Sequence, residues 1–210
     1  MIKVFYWHKD MAIYLHIENW IRKNNIERYN YSQKLLRKED RLSSMAVGVL
    51  LSMMTNERRV EIIRKKNGKP FLKNNFVSIT HSNNYVGCAV SDQDVGIDIE
   101  GENNVTQTVI SSVCNEQEQK IIEKYGLAGR FWTVKEAESK LLNEDLYSLP
   151  KTNIRFSQNK LIDTNRKEVR LVSLNLSEND NLCIASNQKD DFLTVKEVFN
   201  KDIISWIISN

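Results

Sequence analysis

The chain is poor in most of the features that would announce a function. Two prolines, Pro70 and Pro150, and seven glycines in 210 residues are too few for the flexible or proline-rich linkers that join separate modules. No glycine-rich phosphate loop occurs, which removes a P-loop or kinase reading. The three cysteines, Cys88, Cys114 and Cys183, lie far apart and form no Cys-x-x-Cys. A disulfide framework is thereby excluded, and small buried thiols in a reducing cytoplasm are expected. The longest apolar stretch, Met45 to Leu51, is far too short to span a bilayer. Residues Met1 to His8 begin apolar but lack a signal-peptide layout and read as an opening strand. Net charge is only +3, from 30 basic and 27 acidic residues, so no field large enough to predict nucleic-acid binding exists, although a basic patch facing an acidic ligand is permitted. What remains, 41% hydrophobic and 27% charged, is an ordinary globular composition. The length gives one or two domains with a real core, and the expectation is a soluble cytoplasmic protein without membrane or nucleic-acid partners.

Against that background two acidic segments stand out. Val95-Gly96-Ile97-Asp98-Ile99-Glu100 alternates cleanly, so as a strand it sends Val95, Ile97 and Ile99 to one face and Gly96, Asp98 and Glu100 to the other. Phe131 to Lys140 (FWTVKEAESK) reads as a helix. Its i, i+4 spacing stacks Trp132, Glu136 and Lys140 along one side, away from a Val134, Ala137, Leu141 stripe. Each segment alone is compatible with a solvated face. Together they offer three carboxylates and a lysine, a set that suits a hard divalent cation holding phosphates. Gly96, on the carboxylate face, leaves room for a close approach.

The remaining chain is a mixture of helices and strands. A strand near Ile2–Trp7 precedes a helical pattern from about Met11 to Lys23, then a basic segment, Arg28 to Arg41, with Tyr29 and Tyr31 interleaved. A helix is predicted from Lys38 to about Met54, with Leu42, Met45, Ala46, Val49, Leu50 and Met53 at core spacing. Asn67-Gly68-Lys69-Pro70 is a turn signal. Strands follow at Phe76–Ile79 and Tyr85–Ser91 around His81-Ser82-Asn83-Asn84. In the second half a helix spans Glu116–Lys124, with Asn115 and Glu118 spaced as a capping pair. The Glu136 helix closes near Asn143, before Leu149-Pro150. Strands are expected at Ile154–Ser157, Val169–Leu176 and Leu182–Ser186, with a terminal segment from Val195 to Ile208. A gapless internal match of Ser78–Cys88 with Ser173–Cys183 hints at two similar halves with a cleft between them.

In their order and spacing, Asn67-Gly68-Lys69-Pro70, Ser78-Ile79-Thr80-His81-Ser82, Gly96 to Glu100 and Trp132 to Lys140 resemble the motifs of 4′-phosphopantetheinyl transferases of the larger, two-lobed class, which act on peptidyl, polyketide and acyl carrier proteins. The resemblance reaches from about Arg28 to Pro150, where Leu146 to Pro150 is similar to a Leu-Ser-Leu-Pro segment of the family. It implies an α+β fold of two similar α/β lobes, residues 1–100 and 101–210, related by a pseudo-twofold axis with the ligand cleft between them. It implies a working monomer that transfers 4′-phosphopantetheine from coenzyme A to a serine of an apo carrier protein, with Mg²⁺, releasing 3′,5′-ADP. Asp98, Glu100 and Glu136 would hold the metal; Glu136 and Lys140 would be catalytic, the first as base and the second on the leaving phosphate, with Lys135 in support. Lys69, Thr80, His81 and Lys140 would contact coenzyme A.

The chain departs from the family at two places. Ser43 stands where an arginine often grips the 3′-phosphate, leaving Arg41, Arg28 or Lys34 as substitutes. Asn143-Glu144-Asp145 stands where glycines are frequent. Two other readings remain open. One is a non-catalytic coenzyme A or carrier-protein binder of the same fold. The other is a nucleic-acid module built on Arg28–Arg41 and Arg58–Lys69, which predicts steep salt dependence.

Overall fold

A computed structural model describes residues 1–64, 68–147, 153–157, 160–187 and 192–210. Two sequence features therefore fall partly outside the described residues: Asn67 of the turn motif, and Ser148 to Pro150 at the end of the long-helix segment. The opening strand β1 (Ile2–His8) leads to helix α1 (Tyr14–Asn24), through a short 3-10 turn in which the Asp10 carboxylate accepts from the Ala12 amide at 2.8 Å. Asn25 ends α1 and starts α2 (Ile26–Gln33): its side chain accepts from the Arg28 amide at 3.1 Å and donates to the Val60 carbonyl at 3.0 Å. Helix α3 (Lys38–Thr55) buries Leu42, Met45, Ala46, Val49 and Leu50, as its spacing predicts. It stops at Asn56, whose φ of 57° is a left-handed conformation that asparagine tolerates better than most residues.

The strands β2 (Ile63–Arg64), β3 (Pro70–Phe71), β4 (Phe76–His81) and β5 (Tyr85–Ser91) join β1 in one sheet, and β6 (Val95–Gly101) leaves it for another. Helices α4 (Gln107–Val113), α5 (Glu116–Tyr125) and α6 (Ala128–Leu142) follow, with the predicted Asn115–Glu118 capping box formed at the head of α5. The chain continues through β7 (Ile154–Ser157), β8 (Lys160–Asp163), β9 (Arg170–Asn175), β10 (Asp180–Ser186), β11 (Leu193–Val198) and α7 (Asn200–Ser209). The described residues thus form a mixed α+β structure of seven α-helices and three sheets.

The six-stranded sheet runs β11-β1-β5-β4-β3-β2, the three-stranded sheet β6-β10-β9, and β7 pairs with β8. Alternation along the strands separates the core into layers. Trp7, Val86, Cys88 and Val90 pack with α1, α3 and Ile203 of α7 on one face of the large sheet. Ile2, Val4, Tyr85 and Ala89 on its other face meet Val95, Ile97, Ile99, Leu182 and Ile184 of the small sheet. Cys183 and Ala185 on the far face of the small sheet pack against Phe131, Val134, Ala137 and Leu141 of α6. The order is helix, sheet, sheet, helix. The terminal segment, read in sequence as one stretch, is in fact strand β11 lying parallel to β1, with Ile2 opposite Leu193, followed by α7.

The two halves of the internal match are both hairpins, β4–β5 and β9–β10. Their pairing is offset by one residue: Ile79 lies opposite Cys88, whereas Leu174 lies opposite Leu182. The connecting turns differ in length by that one residue, and a single residue is enough to change register.

Candidate active site

The site begins where β4 meets β6. These strands belong to different sheets, and the side chains of Ser78 and Thr80 join them. The Ser78 hydroxyl accepts from the Ile97 amide at 3.0 Å and the Thr80 hydroxyl from the Ile99 amide at 3.1 Å. A Ser-x-Thr spacing puts both hydroxyls on one face, so the Ser-Ile-Thr-His motif has a structural reason. Thr80 also donates to Asp98 Oδ1 at 2.8 Å. Its hydroxyl is committed to orienting that carboxylate, and Thr80 itself is buried.

The carboxylate face of β6 is covered by α6. A Cβ on Gly96 would overlap the Ala137 carbonyl oxygen and lie 2.7 Å from the Leu141 nitrogen. What approaches over the glycine is thus the helix backbone itself. This contact brings Lys140 to Asp98, with Nζ 2.7 Å from Oδ1, while the same ammonium stands 3.8 Å from Glu136 Oε2. Glu136 is held above its ordinary pKa chiefly by burial; Lys140 opposes the shift, and Asp98 and Glu100 add to it. The three carboxylates are therefore close enough to feel one another. Glu100 turns its Oε1 to the Gly101 amide (2.8 Å) and to Asn104 Nδ2 (2.7 Å).

Among the described residues, no group of three or more His, Cys, Asp or Glu side chains is arranged as a metal cage. Lys140 stands between Asp98 and Glu136, and Glu100 faces its own loop. The donor chemistry nevertheless fits a hard divalent ion, being all carboxylate oxygen. A cation, the Lys140 ammonium, already stands between two of the donors.

Beside this cluster lies a cavity of about 780 Å³ walled by α2, α3, β4 and the turn before β3 on one side and by α6 and its following loop on the other. Lys140 and His81 both open onto it. Although His81 remains open to solvent at the rim, desolvation by the wall holds its pKa below the usual value, and Lys9 lowers it further. Lys69 also lines the wall, but its ammonium bonds to Asp94 Oδ1 at 2.5 Å and the Leu141 carbonyl at 2.9 Å. It ties the turn before β3 to one of the carbonyls that a helix end leaves without an intrahelical partner.

At the Ser43 position the structure gives a definite picture. The Ser43 hydroxyl donates back to the Glu39 carbonyl at 2.9 Å, and Arg41 Nε to the Leu35 carbonyl at 2.8 Å. Neither lines the cavity, nor does Lys34; Arg28 does. Its Nε donates to the Ser44 carbonyl at 2.7 Å and its guanidinium lies 5.6 Å from the Tyr31 ring centre. Among the described residues no carboxylate pairs with it, and desolvation lowers its pKa. The buried Ser44 hydroxyl, on the same wall, has no hydrogen-bond partner there either. Ser44 and Arg64 escaped the sequence reading; the only available signal for Arg64 was the basic stretch that contains it.

Asn143 closes α6 with φ 56°, the conformation a glycine would ordinarily supply. Lys135 is remote from this chemistry. It is fully buried, 3.0 Å from Glu118 Oε2, and Glu118 Oε1 also accepts from the Ile154 amide at 2.8 Å. Its role is to hold α5 and β7 against α6. Glu138 is buried with neither oxygen hydrogen-bonded among the described residues, and burial, then Asp163, push its pKa up to about 8. The cysteines are free and buried, with burial driving Cys88 and Cys114 up to about 12, so they are not poised nucleophiles. No helix among the described residues is long and apolar enough to cross a membrane.

Comparison with curated proteins returned no match to the chain. A family model does match, over residues 94–195, and it is described as the 4′-phosphopantetheinyl transferase superfamily. That span contains β6 and α6, and with them Asp98, Glu100, Glu136 and Lys140. Over residues 94–195 the chain is similar to the 4′-phosphopantetheinyl transferase superfamily.

Proposed function

We propose that the protein transfers 4′-phosphopantetheine from coenzyme A to a serine of an apo carrier protein, releasing 3′,5′-ADP. The observation that carries this reading is the meeting of Asp98, Glu136 and Lys140 beside a cavity whose opposite wall presents Arg28, Arg64 and His81. A phosphate-rich ligand needs cations spread along its length, and this wall supplies them. Asp98, Glu100 and Glu136 would hold Mg²⁺, which when bound neutralises charge on the diphosphate. Glu136, kept above its ordinary pKa by burial, accepts the proton of the attacking serine. The serine oxygen bonds to the β-phosphorus as the bond from that phosphorus to the bridging oxygen breaks, and the electron pair leaves with 3′,5′-ADP. Lys140 meets the charge gathering on the departing phosphate. Arg28, Ser44 and Arg64 receive the 3′-phosphate, His81 contacts a phosphate oxygen, and Thr80 and Lys69 act through Asp98 and the α6 terminus. The working unit is a cytoplasmic monomer with lobes of residues 1–100 and 101–210 related by a pseudo-twofold axis, the β11–α7 tail returning to the first lobe.

Intact-mass spectrometry of an apo carrier protein incubated with this protein, coenzyme A and Mg²⁺ tests the reading. A gain of one phosphopantetheine, abolished by chelator, is expected. A second reading, a non-catalytic coenzyme A or carrier-protein binder, is favoured by the lysine standing among the carboxylates. It predicts coenzyme A binding with no mass gain on any carrier protein.

A further inference from the structure

We propose that Lys140 is an exchangeable internal counterion that couples divalent-cation binding to diphosphate binding. Its ammonium holds the carboxylate cluster against the bare ion and leaves when a phosphate enters the cavity to receive it. This rests on the transferase reading and concerns the order in which its ligands bind.

Asp98 is only 6% exposed, and a buried carboxylate requires compensation. Two donors already share its Oδ1, the Thr80 hydroxyl at 2.8 Å and Lys140 Nζ at 2.7 Å. Among the described residues no other cation is in ion-pair contact with Asp98, Glu100 or Glu136. A divalent ion binding between Asp98 and Glu136 must therefore expel the one ammonium that serves both. Without a ligand, that ammonium would move into a cavity lined by Arg28 and Arg64 as well as by Asp40, Glu144 and Asp145. It would leave two carboxylates for ones that already have partners, since Asp40 faces Arg37 at 4.0 Å, Glu144 faces Arg166 at 2.7 Å and Asp145 accepts from the Tyr147 amide at 3.1 Å. It would also meet like charges. The position of Lys140 in the last turn of α6 also favours keeping a cation in place, since helix C-termini carry partial negative charge.

A diphosphate in the cavity reverses each of these terms. It offers the ammonium oxygens to bind and compensates Arg28. Lys140 lies on the cavity wall with its side chain 30% exposed, and a flexible four-carbon stem makes the transfer by side-chain rotation alone. Metal and ligand then favour each other reciprocally, as linkage requires.

The experiment measures Mn²⁺ binding by electron paramagnetic resonance on the full chain, with and without coenzyme A. Wild type is expected to bind Mn²⁺ weakly alone and about tenfold or more tightly with coenzyme A, within the usual range for coupled sites. Lys140→Met should bind the bare ion about as tightly as wild type does with coenzyme A, and coenzyme A should add little. Lys140→Arg, which keeps the charge, should behave as wild type. Lys140→Gln repeats the neutral substitution, so that a poorly folded methionine variant does not decide the matter. Equal Mn²⁺ affinity of wild type and the neutral variants without coenzyme A overturns the exchange while leaving the transferase reading intact. Absence of Mn²⁺ binding in every form, with coenzyme A present, overturns both.

Discussion

Gly96→Ala is the sharpest test of how the site is assembled. The new Cβ would overlap the Ala137 carbonyl oxygen and approach the Leu141 nitrogen to 2.7 Å. Both atoms are helix backbone and cannot rotate away. Helix α6 must retreat from β6 by about 1 Å, and overpacking of this kind costs about 1–3 kcal/mol. In a chain of this length that corresponds to a loss of roughly 2–12 °C in melting temperature. The retreat also draws Lys140 and Glu136 off Asp98, and a displacement of about 1 Å at reacting groups costs about 100-fold in rate. Gly126→Ala is the matched control. Gly126 has φ 66° with nothing within 4 Å of an added Cβ, so it suffers backbone strain of about 1–2 kcal/mol without moving the site. Urea denaturation and the initial rate of carrier-protein modification should be measured on both variants. Comparable destabilisation with only Gly96→Ala losing rate is the expected result. Equal rates in the two variants would refute the claim that the glycine sets the geometry of the carboxylate cluster.

Three further outcomes are expected. Glu136→Gln should lower turnover by about 10²–10⁴. In the metal-free wild type the Glu136 carboxyl should titrate above the ordinary 4.5, because burial disfavours its charged form, and an NMR titration placing it at or below 4.5 would contradict that. Arg28→Ala should raise the Michaelis constant for coenzyme A by about 10–100-fold with little change in turnover, as expected for lost charged hydrogen bonds; the same loss on a substrate lacking the 3′-phosphate would show that Arg28 acts elsewhere. Glu138 binds its proton more tightly folded than unfolded. Its contribution is therefore fully present below about 4.5 and declines by up to about 1.4 kcal/mol per pH unit until its folded value of about 8. Glu138→Gln should flatten that decline, and parallel stability–pH profiles for wild type and variant would contradict it.

Local pattern made much of the site readable. The strict alternation of residues 95–100 assigned the correct residues to each face of β6, because a slip of one residue would send Asp98 and Glu100 into the apolar layer between the sheets. The Asn115–Glu118 box and the α3 stripe were equally legible, since both are settled within a few residues. Contacts made over long separations were not. Helix α2 depends on Asn25 reaching the Val60 carbonyl, and β11 depends on a strand some 190 residues earlier. Lys135 read as a neighbour of catalytic residues, yet a lysine beside them in sequence points elsewhere on the helix and finds Glu118. Lys69 looked like a ligand contact in a turn; only the folded chain brings the carbonyl of Leu141 within its reach.

The pairing of β11 with β1 has a consequence for how the chain is made. Strand β1 waits for residues 193–198 to be synthesised before the edge that pairs with β11 is covered. The apolar surface beneath α7 waits longer still, until Ile203 and Trp206 arrive. During synthesis the early sheet thus spends most of its time with an unpaired edge, the condition under which nascent chains associate wrongly. Dividing the gene at residue 100 would make that interval permanent. The early fragment is therefore expected to be insoluble on its own, and to become soluble when the later half is produced alongside it.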